Sequence, residues 1–309
     1  MLLTMKPIFI LGSYVVGVTV RVPRWLVPGE TLMGDSFNFS EGGKGTNQAV
    51  AAARQGASVC LLAAIGDDVF GRTALELLDR EGLSKEQLRM LPGQQTGCGI
   101  VTVVDGENQI ALYGGANLGL TPDDVRAAEG SIADSGIVLA QLEVPLDCVA
   151  EAFRIGRRHG CLNILNPAPA QPLPASLFPL VDLLTPNSTE ARLLLGLSPD
   201  DPATPEDLAA RLRDLGVSRV VMTLGADGAL RVDERGARRI SSVRINAIDP
   251  TGAGDTFNGV LAAGLAKGLP LDDAIHRATR AGAFATLGFG TIAAIPTAAD
   301  LNTFLQEYP

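Results

Sequence analysis

Apolar runs of strand length alternate along this chain with longer stretches whose apolar residues recur at helical spacing, and that alternation limits the fold more than any other feature. KPIFILG is followed by GTNQAVAAARQG, then SVCLLAAIG, then GRTALELLDREG. A continuous Val/Ile/Leu run suits a strand buried on both faces, and a chain returning to a parallel neighbour needs a crossover helix. The pattern predicts βαβ units around a parallel sheet. It resumes with GIVLAQL, a helix over 146–159, CLNILNP, VDLLTPN and RVVMTLG, and closes with two helices within 253–286. The expected fold class is α/β, a doubly wound, mostly parallel sheet flanked by helices.

Two stretches break the rhythm. VRVPRWLVPGETLMGDSFNFS and CGIVTVVDGENQIALYGG read as strands and turns without a helix between them. Asp105-Gly106 is a turn dipeptide between alternating strands, which predicts a hairpin. These pieces, from about 14–40 and 97–114, are expected to pair as a small sheet that projects from the core and covers its active face. An isolated small sheet is marginal without a cover. Its strands are expected to expose apolar positions such as Val101, Val103 and Ile110, which predict two copies clasping through these lids as a homodimer. No repeat, low-complexity tract or long linker divides residues 1–309, so one domain is expected, with PAPAQPLPASLFP at 167–179 an ordered loop.

At 309 residues and 46% hydrophobic, the chain can bury one large core. A net charge of −9 and a pI near 4.8 oppose binding to nucleic acid or to an anionic membrane surface. A nucleotide pocket is still possible, because local dipoles and a few Lys or Arg can overrule the net field. The start MLLTMKPIFILGSYVVGVTVR lacks a basic leader and a clean cleavage site, and glycines and Arg21 interrupt it. It reads as a buried first strand and not as a signal or a membrane span. Cys60, Cys98, Cys148 and Cys161 show no C-x-x-C spacing and suit the thiols of a cytoplasmic protein. His159 and His276, both near basic helical segments, leave few parts for a histidine triad or a zinc site.

The chemistry-bearing stretches are rich in glycine. In DPTGAGDTFNGV, residues 249–260, Gly252-Ala253-Gly254 leaves backbone N–H groups uncovered, and a helix starting there would aim them at an anion. Neither common nucleotide loop is present, since Gly43-Lys44 is followed by Gly45 and Gly252-Ala253-Gly254 runs into Phe257. Asp255 is either a dipole-favoured residue of a first turn or a base that takes a proton from an attacking hydroxyl beside a phosphate. EGGKGTNQAVAAARQGA supplies a second small-residue helix start, where Lys44 is either a solvated lysine or a bridge to a substrate oxygen. In TPNSTEA, Asn187 and Glu190 have the spacing of a helix cap, and the same two groups could face a hydrated Mg²⁺. Glu143 lies just past an apolar strand, where ligands sit in a doubly wound sheet, and TLGADGAL at 223–230 runs from a strand into an Asp-Gly turn.

Taken together, GGKGTNQAVAAARQGA, LNPAP, TPNSTEA, TLGADGA and DPTGAGDTFNG resemble the PfkB carbohydrate kinases, in order and over nearly the whole chain. The resemblance implies an ATP-dependent kinase acting on a primary hydroxyl of a sugar, with a ribokinase-like fold. It implies that Asp255 is the catalytic base and that Gly252, Ala253 and Gly254 form the anion hole. Gly43, Lys44, Asn47 and Glu143 then contact the sugar, while Asn187 and Glu190 organise the phosphates and Mg²⁺ through water. Thr223, Gly225 and Gly228 border the nucleotide, with Thr279 near the adenine. Asp249 and the carbonyl of Thr251, with backbone around Ala285, Gly288 and Gly290, match a monovalent cation site, expected to take K⁺.

One departure bears on the acceptor. Members closest in pattern carry Asn-x-Asp after the first strand, and this chain has GSYVVGV, with Val15 and Gly17 at those places. Each buried polar partner left unpaired costs roughly 1–3 kcal/mol, so the acceptor expected is a sugar, sugar acid or nucleoside with a less polar or bulkier group there. Trp25 and Arg21 are candidates for replacement contacts. A nucleoside kinase and a non-catalytic sugar or nucleotide sensor are the competing readings, and the intact Gly-Ala-Gly-Asp argues against the sensor.

Overall fold

The computed structural model describes residues 6–105 and 107–308; residues 1–5, Gly106 and Pro309 lie outside the described residues. In chain order the strands are Ile8–Leu11 (β1), Val15–Arg21 (β2), Ser36–Gly42 (β3), Val59–Gly66 (β4), Leu88–Leu91 (β5), Gly97–Val104 (β6), Glu107–Tyr113 (β7), Ile137–Ala140 (β8), Leu162–Leu165 (β9), Leu183–Leu184 (β10), Arg219–Thr223 (β11), Ala229–Asp233 (β12) and Gly236–Ile240 (β13). The α-helices are Lys44–Arg54 (α1), Val69–Arg80 (α2), Pro122–Ala127 (α3), Glu129–Ala133 (α4), Leu146–Arg158 (α5), Ser188–Leu194 (α6), Pro205–Asp214 (α7), Ala253–Ala266 (α8), Leu271–Ala285 (α9), Thr291–Ala294 (α10) and Ala298–Glu307 (α11).

β1 explains why the main sheet is covered on both sides. All four of its residues are buried, and side chains alternate between faces along a strand. Ile8 and Ile10 enter one apolar cluster, shared with Val50 of α1, Leu261 of α8 and Ile275 of α9. Phe9 and Leu11 enter the other, with Phe153 of α5 and Leu212 of α7. Truncating a fully buried aromatic such as Phe9 or Phe153 to Ala costs about 3–5 kcal/mol in such cores.

Nine strands form this sheet in the order β13-β12-β11-β10-β9-β8-β1-β4-β5. The strands from β11 to β5 run parallel, and β12 and β13 close the other edge antiparallel. The α/β architecture, α1, the helix that begins at residue 146 and the helix pair in 253–286 all stand as the sequence implies. His159 is the residue that ends α5, where its ring nitrogen meets Glu129 at the surface. The four cysteines are free.

The second sheet has the order β3-β2-β6-β7, with β2 and β6 parallel and both outer pairs antiparallel. It is built from the two helix-free stretches. The β6–β7 hairpin turns at Asp105, whose φ of 48° is left-handed, and Val104 faces Glu107 across it. Val101 and Val103 are half-buried, which corrects the expectation that they are exposed: they lie on the central strand β6. Ile110 on the edge strand β7 is 59% exposed, joined by Phe37, Ile100, Leu112 and Tyr113. Arg21, at the far end of β2, is held by an exposed ion pair with Asp35.

Candidate active site

The candidate groups collect where the parallel strands end. Ser13 follows β1, Gln141 and Glu143 follow β8, Asn166 follows β9, Thr185 and Asn187 follow β10, and Gly225 follows β11. The carboxyl ends of the strands are where an open α/β sheet binds its ligands. The amino-terminal ends of α1 and α8 meet these loops.

Gly45 exists for contact and not for phosphate. A Cβ at Gly45 would lie 2.4 Å from the Cα of Gly12, so α1 is seated directly on the backbone that leaves β1. Thr46 reinforces the joint, donating its N–H and its hydroxyl to the Ser13 carbonyl at 3.0 and 2.7 Å. Glu143 then reaches this helix start from the neighbouring strand end. Its Oε2 accepts from the Ser13 hydroxyl at 2.5 Å and from the Lys44 N–H at 2.9 Å. Gly43, Lys44, Asn47 and Glu143 are thereby gathered at one place.

At α8 the chain enters through Gly252, whose φ of +80° is left-handed and which offers no side-chain cap. Ala253 N–H turns back to the Pro250 carbonyl, whereas the N–H groups of Gly254 and Asp255 meet no acceptor among the described residues. Asp255 is 6% exposed. Its Oδ2 accepts from Asn47 Nδ2 at 2.9 Å and its Oδ1 from Gln48 Nε2 at 3.0 Å. A pocket of about 200 Å³ opens in front of it, lined by Lys44, Asn187, Glu190, Gly252, Gly254 and Asp255 among others. The Asp255 carboxylate raises the Lys44 ammonium above its ordinary range; burial works against this, and Glu143 and Glu190 support it. A cation, free amides and a carboxylate thus face one small space.

Asn187 and Glu190 form the cap that their spacing implies. Glu190 N–H donates to Asn187 Oδ1 and Asn187 N–H to Glu190 Oε2, both at 2.8 Å. Burial raises the Glu190 carboxyl above the usual carboxylate range, although the Asn187 N–H and Lys44 pull it down. Both residues also line the small pocket, so the structural and the metal-facing readings meet at the same side chains.

A larger cavity of about 600 Å³ adjoins the small pocket and shares Thr223 and Gly254 with it. Thr223, Gly225, Gly228 and Thr279 all border it, as does an apolar wall of Val243, Ile245 and Phe257. Beside α8, Asp249 accepts from Thr251 N–H at 2.9 Å and from Gly290 N–H at 3.2 Å. The backbone of Ile248 and Asp249 is tied to the Thr286 carbonyl. Ala285 and Gly288 lie in the same segment and make no hydrogen bond to Asp249 among the described residues.

Several residues of the site carry no signal in the sequence. Gln48 and Gln141 sit in ordinary helix and loop surroundings, and Val243 and Ile245 belong to a stretch without regular structure. Asn166 lies within LNPAP with nothing to set it apart from its neighbours, and Asn258 follows Asp255 by three residues. The lid around Val15 is built of small residues. Val15 pairs with Gly42 and Gly97, and Gly17 with Ser40 and Gly99, so five small residues surround Val15 on one face of the lid. That face adjoins the start of α1, since a Cβ on Gly42, the direct partner of Val15, would lie 3.5 Å from Asn47 Oδ1.

Known proteins are similar to this chain in sequence and in fold. The model of the pfkB family carbohydrate kinases matches residues 5–298. A ribokinase of Haemophilus influenzae is 38% identical over 303 residues, covering 98% of this chain and 99% of that protein. The crystal structure of ribokinase from Thermotoga maritima superposes with a TM-score of 0.90 at 29% identity, covering 97% of this chain and 99% of the other. Arabidopsis thaliana ribokinase, whose structure was solved complexed with ribose and ATP, gives a TM-score of 0.89 at 27% identity, covering 98% and 99%. With full-length matches in both sequence and structure, the chain belongs to the pfkB family of carbohydrate kinases.

Proposed function

We propose that this carbohydrate kinase transfers the γ-phosphoryl group of ATP to a primary hydroxyl of a sugar, with Asp255 as general base. The observation that carries this is the pairing of a buried carboxylate with two unspent backbone N–H groups at one helix start. The acceptor O–H gives its proton to Asp255 as the alcohol oxygen bonds to phosphorus, and the bond from the γ-phosphorus to the bridging oxygen breaks to leave ADP. The N–H groups of Gly254 and Asp255, aligned with the positive end of α8, favour the charge that grows on the phosphoryl oxygens. Lys44 adds a cation to the lining of the same pocket. Gly43, Asn47 and Glu143 hold the sugar, and the 600 Å³ cavity takes the adenosine between Gly225, Gly228, Thr279 and the apolar wall.

Among the described residues no cluster of three or more His, Cys, Asp or Glu side chains is placed to hold a metal ion. Mg²⁺ therefore fits this site only with phosphate oxygens and water as its main ligands, steadied by Asn187 and Glu190. In the same reading Asp249, Thr251, Ala285, Gly288 and Gly290 surround a monovalent cation, K⁺, that stiffens the entry to α8. In this reading the apolar residues bared by the lid pair with those of a second copy, and the free thiols suit a cytoplasmic enzyme. A coupled assay of ADP release with MgATP and a panel of pentoses, sugar acids and nucleosides tests the activity. No ADP above the acceptor-free rate for any of them would defeat it.

The lid face around Val15 and Gly17 favours an acceptor with a less polar or bulkier group at that end than ribose. A nucleoside is the second reading, and a clear preference for free ribose in the same panel removes both refinements while leaving the kinase reading intact.

A further inference from the structure

We infer that Gln48 and Gln141 are positioning residues for the base, and that an array of side-chain amides fixes the direction in which Asp255 presents its carboxylate. The inference rests on the kinase reading above.

The array is directional because both of its ends are. Asp255 Oδ1 can only accept, so Gln48 must turn its Nε2 toward it, at 3.0 Å. The second hydrogen of that Nε2 goes to Asn166 Oδ1, also at 3.0 Å. Asn166 is in turn oriented by a backbone carbonyl, since its Nδ2 donates to Thr185 O at 3.0 Å. With Nε2 so committed, Gln48 Oε1 faces away and needs a donor, and Gln141 Nε2 supplies it at 2.6 Å. The chain of amides therefore has one self-consistent orientation from Thr185 and Gln141 to Asp255.

All of these side chains are buried: Gln48 and Gln141 are 0% and 1% exposed, and Asn166 is 5% exposed. Burying a primary amide is costly unless it is satisfied, yet Gln141 Oε1 has no partner. Gln141 thus accepts an unpaired oxygen in order to place its nitrogen on Gln48. It also sits two residues before Glu143, which holds Ser13 and the first amide of α1. The segment that faces the acceptor and the segment that aims the base are one piece of chain. Without Gln141, the buried Gln48 Oε1 loses its donor, the amide is held only from its nitrogen end, and it can shift away from the position that aims Asp255.

Gln141→Met keeps the volume and touches neither Asp255 nor ligand. Small misplacements of a catalytic group cost up to about 100-fold. The expected result is a kcat lowered about tenfold, with KM for ATP and acceptor and the thermal midpoint nearly unchanged. Gln48→Met is expected to cost as much or more, and the double variant to match Gln48→Met alone, because the two act in series. Gln141→Asn keeps a buried amide but draws its donor back by one methylene; it is expected to show the same loss of kcat, and serves if the Met variant does not fold. A folded Gln141 variant with wild-type kcat, or losses that multiply in the double variant, would overturn the proposal while leaving the kinase reading standing. A wild-type enzyme that releases no ADP with any acceptor removes the kinase reading and this proposal with it.

Discussion

The starts of α8 and α6 both line one small pocket and treat their amides in opposite ways. At α6 the helix closes on itself: Asn187 and Glu190 exchange hydrogen bonds, as Thr121 with Asp124 and Thr297 with Asp300 do elsewhere. At α8 a left-handed glycine leads in, no side chain caps the turn, and Gly254 and Asp255 keep free N–H groups. Uncapped amides cost stability unless water or a ligand takes them. The chain caps α6 and leaves α8 open next to a buried carboxylate, the division that the proposed mechanism needs between a supporting helix start and a reacting one.

That contrast breaks if substitutions at the two starts have similar effects. The largest effect is expected at Asp255: Asp255→Asn should lower kcat by on the order of 10²–10⁴ in the coupled ADP assay, while ATP affinity by calorimetry changes little. Next comes the entry to α8. Gly252→Ala forces a side chain into a left-handed conformation and sets its Cβ 3.2 Å from Thr291, tighter than most contacts. Its kcat should fall about 10–100-fold as the free amides turn away, with a loss of about 1–2 kcal/mol in denaturant unfolding.

At α6 the expected effects are smaller. Glu190→Gln should raise the Mg²⁺ concentration for half-maximal rate by about tenfold, the equivalent of one unit of pKa-scale energy. Because burial holds the Glu190 carboxyl above its ordinary value of 4.5, the proton competes with the metal at a higher pH than at an exposed glutamate. The wild-type Mg²⁺ requirement should therefore climb as pH falls toward that raised value and relax as pH rises through it. In Glu190→Gln this pH dependence should vanish. Asn187→Ala removes a cap and should cost about 1 kcal/mol of stability, seen as a small drop in thermal midpoint, with less change in kcat than any variant at α8.

The sequence makes the helix starts legible because their signals are local. Glycine before α8, the Asn-x-x-Glu spacing at α6 and the alternation of β and α runs need only neighbours along the chain to be understood. The lid was legible for the same reason, as two stretches with strand patterning and no crossover helix. What escaped depends on which elements pack together. Gln48 reaches Asp255 across 207 positions, and nothing near Gln48 marks it as different from a polar residue on a helix surface. Val101 and Val103 were expected at the surface because β-strand alternation does not tell a central strand from an edge. The antiparallel edge of β12 and β13 and the wall of Val243 and Ile245 likewise follow from tertiary placement.

The central claim is that Asp255 takes a proton and never takes the phosphoryl group. The stereochemical course at phosphorus, followed with ATP made chiral at the γ-position by oxygen isotopes and sulfur, tests this in one measurement. A single in-line transfer to the acceptor predicts inversion. Retention would mean two transfers through a phosphorylated side chain, and would contradict the assignment of Asp255 as a base.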